Sequence, residues 1–366
     1  MGLAIALGAR NLGRTWPNPS VGAILVDESG DTPRIISQGI TQPGGRPHAE
    51  PAAIAQAGAA ARGATLYVSL EPCSHFGRTP PCAEAIAAAG ITRVFTAIKD
   101  SDTRVAGRGH AILRGAGIDV AVGIGAAEAA RVHRGHISRV VRGRPWLTLK
   151  LAQTADGYVG RGGERLLITG DAANVRTHMM RAHADAVLVG ISTVLADDPQ
   201  LDVRLPGLEG RSPVRVVLDS HLRLPSSSRL SATAAGFRSW VVCSEAAPAA
   251  DEHRLVAAGF EVIRVAADAS GRVDLAAALL CLGERGSTCI FCEGGPTLAG
   301  ALGQADLVDE FVLMTGAAGL SIEGAAALEG IPALQPDLAA ALHTQFRLVE
   351  TEQVGPDIIE TFERIA

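Results

Sequence analysis

His48 and Glu50 stand two positions apart in Pro47-His48-Ala49-Glu50, and two cysteines follow in Glu71-Pro72-Cys73 and Pro81-Cys82. One imidazole and two thiolates form a soft three-ligand set, and zinc is the metal that suits it. Three protein ligands leave a fourth position for water, which marks a catalytic rather than a structural site. Zinc lowers the pKa of that water and supplies hydroxide at neutral pH. Glu50 is the matching proton shuttle. As hydroxide attacks an amidine-like ring carbon, one carboxylate can take the proton from water and deliver it to the ring nitrogen and the departing ammonia. A lone buried cysteine or core histidine would be unremarked; the joint pattern, with a glutamate at this offset, carries the reading. His75, between the cysteines, is either a substrate contact or a solvated loop residue.

The arrangement follows the H-x-E…P-C-x-x-C signature of zinc-dependent nucleobase deaminases, with one difference. Cys73 and Cys82 are nine positions apart instead of three. Pro72 and Pro81 suit chain entry into a helix, whose N-terminal dipole helps keep a thiolate ionised.

The second half carries weaker signals. Phe291-Cys292-Glu293-Gly294-Gly295-Pro296-Thr297 reads as a strand, a glycine turn and a helix start. Such a turn exposes backbone N–H groups that can cradle phosphate, although an ordinary tight β–α connection has the same pattern. Gly190-Ile191-Ser192-Thr193-Val194-Leu195-Ala196-Asp197-Asp198-Pro199 is a second polar strand exit, where ligands of open α/β sheets gather. Arg181 and Arg204 are either partners for a substrate phosphate or solvated surface arginines.

The elements that must position these groups alternate. In the first half, strands are expected at Val21–Val26, Thr65–Ser69, Arg93–Ile98 and Ile118–Val122, with helices at His48–Ala61, Cys82–Ala89 and Ala111–Gly117. This βαβ pattern implies a mostly parallel sheet. Gly143 and Pro145 interrupt it within Arg142–Pro145, which divides the chain into 1–143 and 144–366, and a fresh strand begins at Trp146–Leu151. Further strands are expected at Ala186–Gly190, Val214–Asp219, Ser239–Cys243, Glu261–Val265, Cys289–Glu293 and Glu310–Met314. Helices are expected at Asp171–Ala182, His253–Ala258, Leu275–Leu282 and Thr297–Ala305, with a surface loop at Leu205–Ser212.

The motifs also resemble a known family. Thr15-Trp16-Pro17-Asn18-Pro19-Ser20-Val21-Gly22, the histidine motif, the run from Glu71 to Cys82 (with Ser74-His75-Phe76-Gly77-Arg78-Thr79-Pro80 between the cysteines) and Val105-Ala106-Gly107-Arg108-Gly109 are similar to the bifunctional riboflavin-biosynthesis deaminase/reductases. The long loop between the cysteines is particular to that family, and the resemblance extends over essentially the whole chain. It implies a two-domain α/β protein: a cytidine-deaminase-like three-layer α/β/α domain, 1–143, then a dihydrofolate-reductase-like α/β domain, 144–366. The implied cofactors are one Zn²⁺ and NADPH. The implied substrate is 2,5-diamino-6-(5-phosphoribosylamino)pyrimidin-4(3H)-one, deaminated and then reduced from ribosyl to ribityl. By the same resemblance His48, Cys73 and Cys82 hold zinc, Glu50 is the proton donor and Asn18 shapes the pocket. Ala152, Leu167, Thr193, Asp197, Ser220, Gly295, Pro296 and Thr297 would contact NADPH; Arg165, Arg181, Leu201, Arg204 and Glu293 would contact substrate. Both folds often self-associate, so a homo-oligomer is expected.

Three positions depart from the family pattern. Leu167 replaces a Trp before Ile168-Thr169, Asn174 replaces an Arg, and Gly316-Ala317-Ala318-Gly319-Leu320-Ser321 replaces an Ala-Pro-Lys-Leu-Leu-Gly run. Loss of an aromatic face and of a lysine near an anion would each weaken binding by about 1–3 kcal/mol. They motivate an alternative in which an active deaminase carries a degenerate binding or assembly module.

Composition narrows the field. The net charge is −5 and aromatics make up 4% of the chain, so the basic, aromatic-lined surface of a nucleic-acid binder is missing, and a nucleic-acid-editing deaminase is disfavoured. No apolar run has the roughly 18 residues a membrane span needs. Met1–Arg10 lacks the pattern of a signal peptide, and six cysteines in such a chain point to thiols and metal ligands in the cytoplasm. Titration with NADPH separates the two readings of the second half: saturable enhancement of nicotinamide fluorescence is expected, and its absence would favour the degenerate module.

Overall fold

The computed structural model describes residues 1–76, 80–103, 105–161, 167–319, 330–332 and 336–365. The chain divides into two compact units: Met1–Pro145 with Arg285–Thr288, and Trp146–Glu284 with Cys289–Ala366.

The first unit is built on strands β1 (Gly22–Asp27), β2 (Arg34–Ile40), β3 (Thr65–Val68), β4 (Arg93–Thr96) and β5 (Asp119–Val122). Their order is β2-β1-β3-β4-β5. Alternation along β1 sorts the side chains into two layers. Ala23 and Leu25 join Leu66, Val68 and Val94 against Ala49, Ala53, Ala83, Ile86 and Leu113 of the helices on one face. Ile24 and Val26 meet Ala4 and Leu7 of the helix Gly2–Ala9 on the other. The result is the expected three-layer α/β/α arrangement. The sheet itself corrects the expectation of mostly parallel pairing: β1 runs antiparallel to both β2 and β3, and only β3-β4-β5 are parallel. Strand β2 leaves no clear mark in the sequence because it is a half-exposed edge strand containing Arg34, Ser37, Gln38 and Gly39, with no apolar run. The helices Gly2–Ala9, Ala126–Val132 and Arg134–Arg142 are likewise additions to the expected elements.

Two glycines let helices ride directly on this sheet. A Cβ at Gly22 would lie 2.0 Å from Ala4 O and 2.6 Å from Gly8 N, and one at Gly39 would lie 2.0 Å from Ala49 O. The second contact seats the helix Ala49–Ala57, which begins immediately after His48. The expected helix to Ala61 breaks at Gly58, whose φ of 57° leaves a short 3₁₀ turn over Gly58–Ala61.

The second unit contains β6 (Trp146–Gln153), β7 (Tyr158–Arg161), β8 (Ala186–Gly190), β9 (Val214–Leu218), β10 (Ser239–Ser244), β11 (Glu261–Val265), β12 (Cys289–Cys292), β13 (Glu310–Thr315), β14 (Gly330–Pro332), β15 (Phe346–Val354) and β16 (Asp357–Arg364). Nine of them form one sheet in the order β11-β10-β9-β8-β12-β6-β13-β16-β15. The first seven are parallel and the last two antiparallel. Val187, Val189, Val217, Val241 and Phe291 fill one core with Val194, Leu230 and Leu255. The hairpin β15–β16 gives little sequence signal because β15 alternates largely exposed charged and polar residues. Among the described residues no helix is long and apolar enough to cross a membrane.

Replacing Gly22 with Ala forces two backbones apart, and overpacking of this kind costs about 1–3 kcal/mol or more. Urea denaturation should show that loss, while Gly30→Ala, with open space around its Cβ, leaves the midpoint unchanged.

Candidate functional site

His48 caps the helix Ala49–Ala57 in an extended conformation, and Cys82 opens the helix Cys82–Ala88 directly after Pro81. Cys73 lies in the segment after β3. The three come together. His48 Nδ1 is 3.2 Å from Cys82 Sγ and 3.7 Å from Cys73 Sγ, and the Cys82 N–H donates to Cys73 Sγ at 3.3 Å. All ligand atoms lie within 4.8 Å of one another. Zn–S and Zn–N bonds of about 2.3 and 2.1 Å at tetrahedral angles hold ligand atoms roughly 3.6–3.8 Å apart, so donor set and spacing fit zinc with little adjustment.

The electrostatics point the same way. Cys73 is held down to about 4, chiefly by its hydrogen bond with Cys82 and then by His48. The same bond, with burial, pushes the Cys82 thiol far up. His48 is raised, mainly by bonding to the Cys73 sulfur. Glu50, only 4% exposed, is pushed up to about 7 by burial and then by the charge on Cys73. Without a cation only one sulfur ionises; a dication lets both do so.

Asn18 is half-buried, and its side-chain amide fills the space where Gly45 has no Cβ, three residues before His48. Its backbone is tied to Thr15, whose hydroxyl donates to Asn18 O at 3.0 Å. His75 is exposed.

In the second unit seven of the eight expected cofactor positions lie at the C-terminal ends of four adjacent parallel strands, β9-β8-β12-β6, and Leu167, which precedes the helix Asp171–His183, does not. Ala152 is on β6, Thr193 and Asp197 follow β8, Ser220 follows β9, and Gly295-Pro296-Thr297 follow β12. Gly295 caps the helix Pro296–Gln304, and its missing Cβ would face Thr193 Oγ1 at 3.9 Å. This strand end, glycine turn and helix N-terminus fit the phosphates of a dinucleotide. Ser220 Oγ accepts from Val273 N at 3.0 Å, and Asp197 is exposed.

Substrate positions are brought together less uniformly. Arg181 donates through Nε and a terminal nitrogen to the two Glu293 carboxylate oxygens at 2.5 and 2.9 Å, and its other terminal nitrogen reaches Asp202 O at 2.9 Å. Its guanidinium is therefore bonded to Glu293 and to the Asp202 backbone. Arg204 keeps a 48% exposed side chain paired with Asp202. Leu201 is buried in the core at a φ of 57°, so only its backbone can meet a ligand. Arg165 lies outside the described residues. Leu167 is 88% exposed and Asn174 is exposed on the helix Asp171–His183. A Cβ at Gly316 would lie 2.0 Å from Ile168 O, so this chain admits no side chain there, while Ala318, where the family pattern has lysine, is exposed and nothing in the structure explains its change.

Sequence reasoning assigns no role to Lys150. Parallel pairing of Cys292 with Leu149 carries Glu293 alongside it. Burial lowers the Lys150 ammonium, with Glu293 opposing that shift and Arg181 adding to it. Strand register alone reveals this juxtaposition.

Residues 1–98 match the cytidine and deoxycytidylate deaminase zinc-binding region, and residues 145–359 match the RibD C-terminal domain. The riboflavin biosynthesis protein RibD of Escherichia coli is 37% identical, the alignment covering 98% of this chain and 96% of that protein. The chain belongs to the RibD family. Its RibD relatives of known structure include that of Acinetobacter baumannii, with TM-score 0.85, 33% identity, and coverage of 100% and 98%. A deaminase/reductase from Thermotoga maritima gives TM-score 0.82 at 32% identity, with coverage of 100% and 97%. As a RibD, the chain is a bifunctional enzyme of riboflavin biosynthesis, with a zinc-binding deaminase domain and a reductase domain; nothing in these likenesses favours the degenerate module.

In metal-stripped protein Cys73 should alkylate at a rate nearly independent of pH between about 5 and 7, because its thiolate persists down to about 4. Zinc should suppress the reaction. A rate climbing steeply toward pH 8 would show an ordinary thiol.

Proposed function

We propose that this chain deaminates 2,5-diamino-6-(5-phosphoribosylamino)pyrimidin-4(3H)-one and then reduces its ribosyl group with NADPH. The observation that carries the first step is the buried Glu50 beside the His48, Cys73 and Cys82 cluster. Zinc held by those three side chains supplies a Lewis acid that makes water acidic near neutral pH. Glu50, whose carboxyl is pushed up by burial, takes a proton at physiological pH and releases it to the ring nitrogen and the departing ammonia. Asn18, which lies before β1 and packs against Gly45 ahead of His48, orients the ring.

NADPH supplies the hydride for the second step. Gly295, Pro296, Thr297 and Thr193 hold its phosphates at the strand ends, with Ala152 and Ser220 on either side. Addition of hydride to the ribosyl anomeric carbon requires a proton on the oxygen that leaves it. Lys150 is the group we assign to that transfer, since burial weakens its hold on the proton. Arg181 fixes Glu293 as a carboxylate, held below its ordinary range by the same guanidinium despite burial, and Glu293 orients Lys150. Arg204 faces the substrate phosphate.

Mass spectrometry after incubation with substrate tests both steps. Zinc-loaded protein alone should give the deaminated product, and NADPH should convert it to the deaminated, reduced species. Glu50→Gln should keep its zinc and lose deamination by about 10²–10⁴-fold, and Lys150→Gln should slow reduction by at least about 10²-fold. Deamination at the wild-type rate in Glu50→Gln would remove Glu50 from the proton path, and no reduced product from the wild type would sink the second step.

A further inference from the structure

We propose that Glu71 is a positioning residue of the metal centre, fixing the Cys73 segment by capping the helix Arg108–Gly115 from outside that helix. The inference rests on the zinc reading above and concerns a residue that contacts neither metal nor substrate.

The Glu71 side chain is fully buried. One carboxylate oxygen accepts from Gly107 N at 2.9 Å and Asp100 N at 3.2 Å; the other accepts from His110 N at 3.3 Å. His110 Nδ1 lies 3.7 Å away, but burial lowers its pKa, and its Nε2 is bonded to Thr96 Oγ1 at 3.0 Å. Both carboxylate oxygens are thus satisfied by backbone donors. Buried acceptors left without such partners are destabilising.

Two of those donors are open groups of the first helical turn. The cap position of Arg108–Gly115 is Gly107, at a φ of 80°, which has no side chain to satisfy them. Ser, Thr, Asp or Asn would normally do so from within the helix. Here the acceptor comes from the segment that carries Cys73. The two segments also touch directly: a Cβ at Gly109 would lie 2.0 Å from Pro72 O. Glu71 N donates to Ile98 O at 3.0 Å, and on the far side of the cysteine Cys73 O accepts from Ala83 N at 3.2 Å. The Cys73 backbone is therefore held on both sides, toward β4 and the capped helix and toward the helix that begins with Cys82.

Groups that orient metal ligands typically affect metal affinity by about 10–100-fold when removed. The test loads wild type, Glu71→Gln, Glu71→Ala, Gly109→Ala and Gly115→Ala with zinc and follows transfer of the metal to a chromogenic chelator. The visible d–d bands of the cobalt(II)-loaded proteins are recorded in parallel. Gly115, in the same helix, has open space around its Cβ. Wild type and Gly115→Ala should release zinc equally slowly. Glu71→Ala and Gly109→Ala should release it about 10–100-fold faster, with Glu71→Gln between, because it keeps an acceptor oxygen, and the cobalt bands should shift in that order. If Glu71→Ala does not fold, Gly109→Ala and Glu71→Gln decide. Variants that melt earlier but release zinc at the wild-type rate with unshifted cobalt bands would reduce Glu71 to a helix cap and overturn the proposal. A wild type that takes up no zinc would instead overturn the metal reading itself.

Discussion

Two sulfurs, an imidazole and a carboxylate share one largely buried site, and no distribution of protons suits all four. If both thiols ionise, three anions crowd together; if neither does, His48 alone is left to balance the buried Glu50. The hydrogen bond between the two sulfurs holds the Cys73 thiol down and pushes the Cys82 thiol up. A divalent cation removes the conflict, because it stabilises both thiolates and takes the neutral nitrogen of His48 as ligand. Much of the first unit serves this point. The helix beginning after His48 is seated at Gly39, the helix beginning with Cys82 supplies an N–H to the Cys73 sulfur, and the segment before Cys73 is anchored through Glu71.

The second unit solves a different problem, that of holding anions without metal. Parallel strands end together, so turns, helix N-termini and side chains from four chain segments converge along one edge. Arg181, Lys150 and Glu293 then form a cluster with a surplus positive charge, suited to a substrate and a cofactor that both carry phosphate. The guanidinium is committed to Glu293.

How much of this can be read from the chain depends on distance along it. His48 and Glu50 lie within one short motif, and each cysteine follows a proline, so the deaminase chemistry is legible before any fold is known. The alternating apolar runs likewise mark nearly every strand of the parallel sheet. Strands β2 and β15 are invisible because edge strands carry too little apolar material to announce themselves. Arg181 reads from sequence as a phosphate ligand, but its partner is 112 positions away, and only tertiary structure shows that the guanidinium is already engaged. Glu71 sits in plain view beside Cys73, yet its task is to cap a helix from a distance of 36 positions, which no local pattern encodes. Gly316 is a point where backbone meets backbone, which its neighbours in the chain do not announce.

Such meetings of main chain with main chain are unevenly distributed. Among the described residues, added Cβ atoms at Gly8, Gly22, Gly39 and Gly109 would fall within 3.0 Å of backbone atoms in the first unit, whereas Gly316 is the comparable case in the second. Side-chain cores can drift, since one residue may shrink as its neighbour grows. A contact between two backbones has no such partner to adjust. A substitution at any of these glycines therefore has no side-chain change that could offset it, and more of such positions lie in the deaminase half.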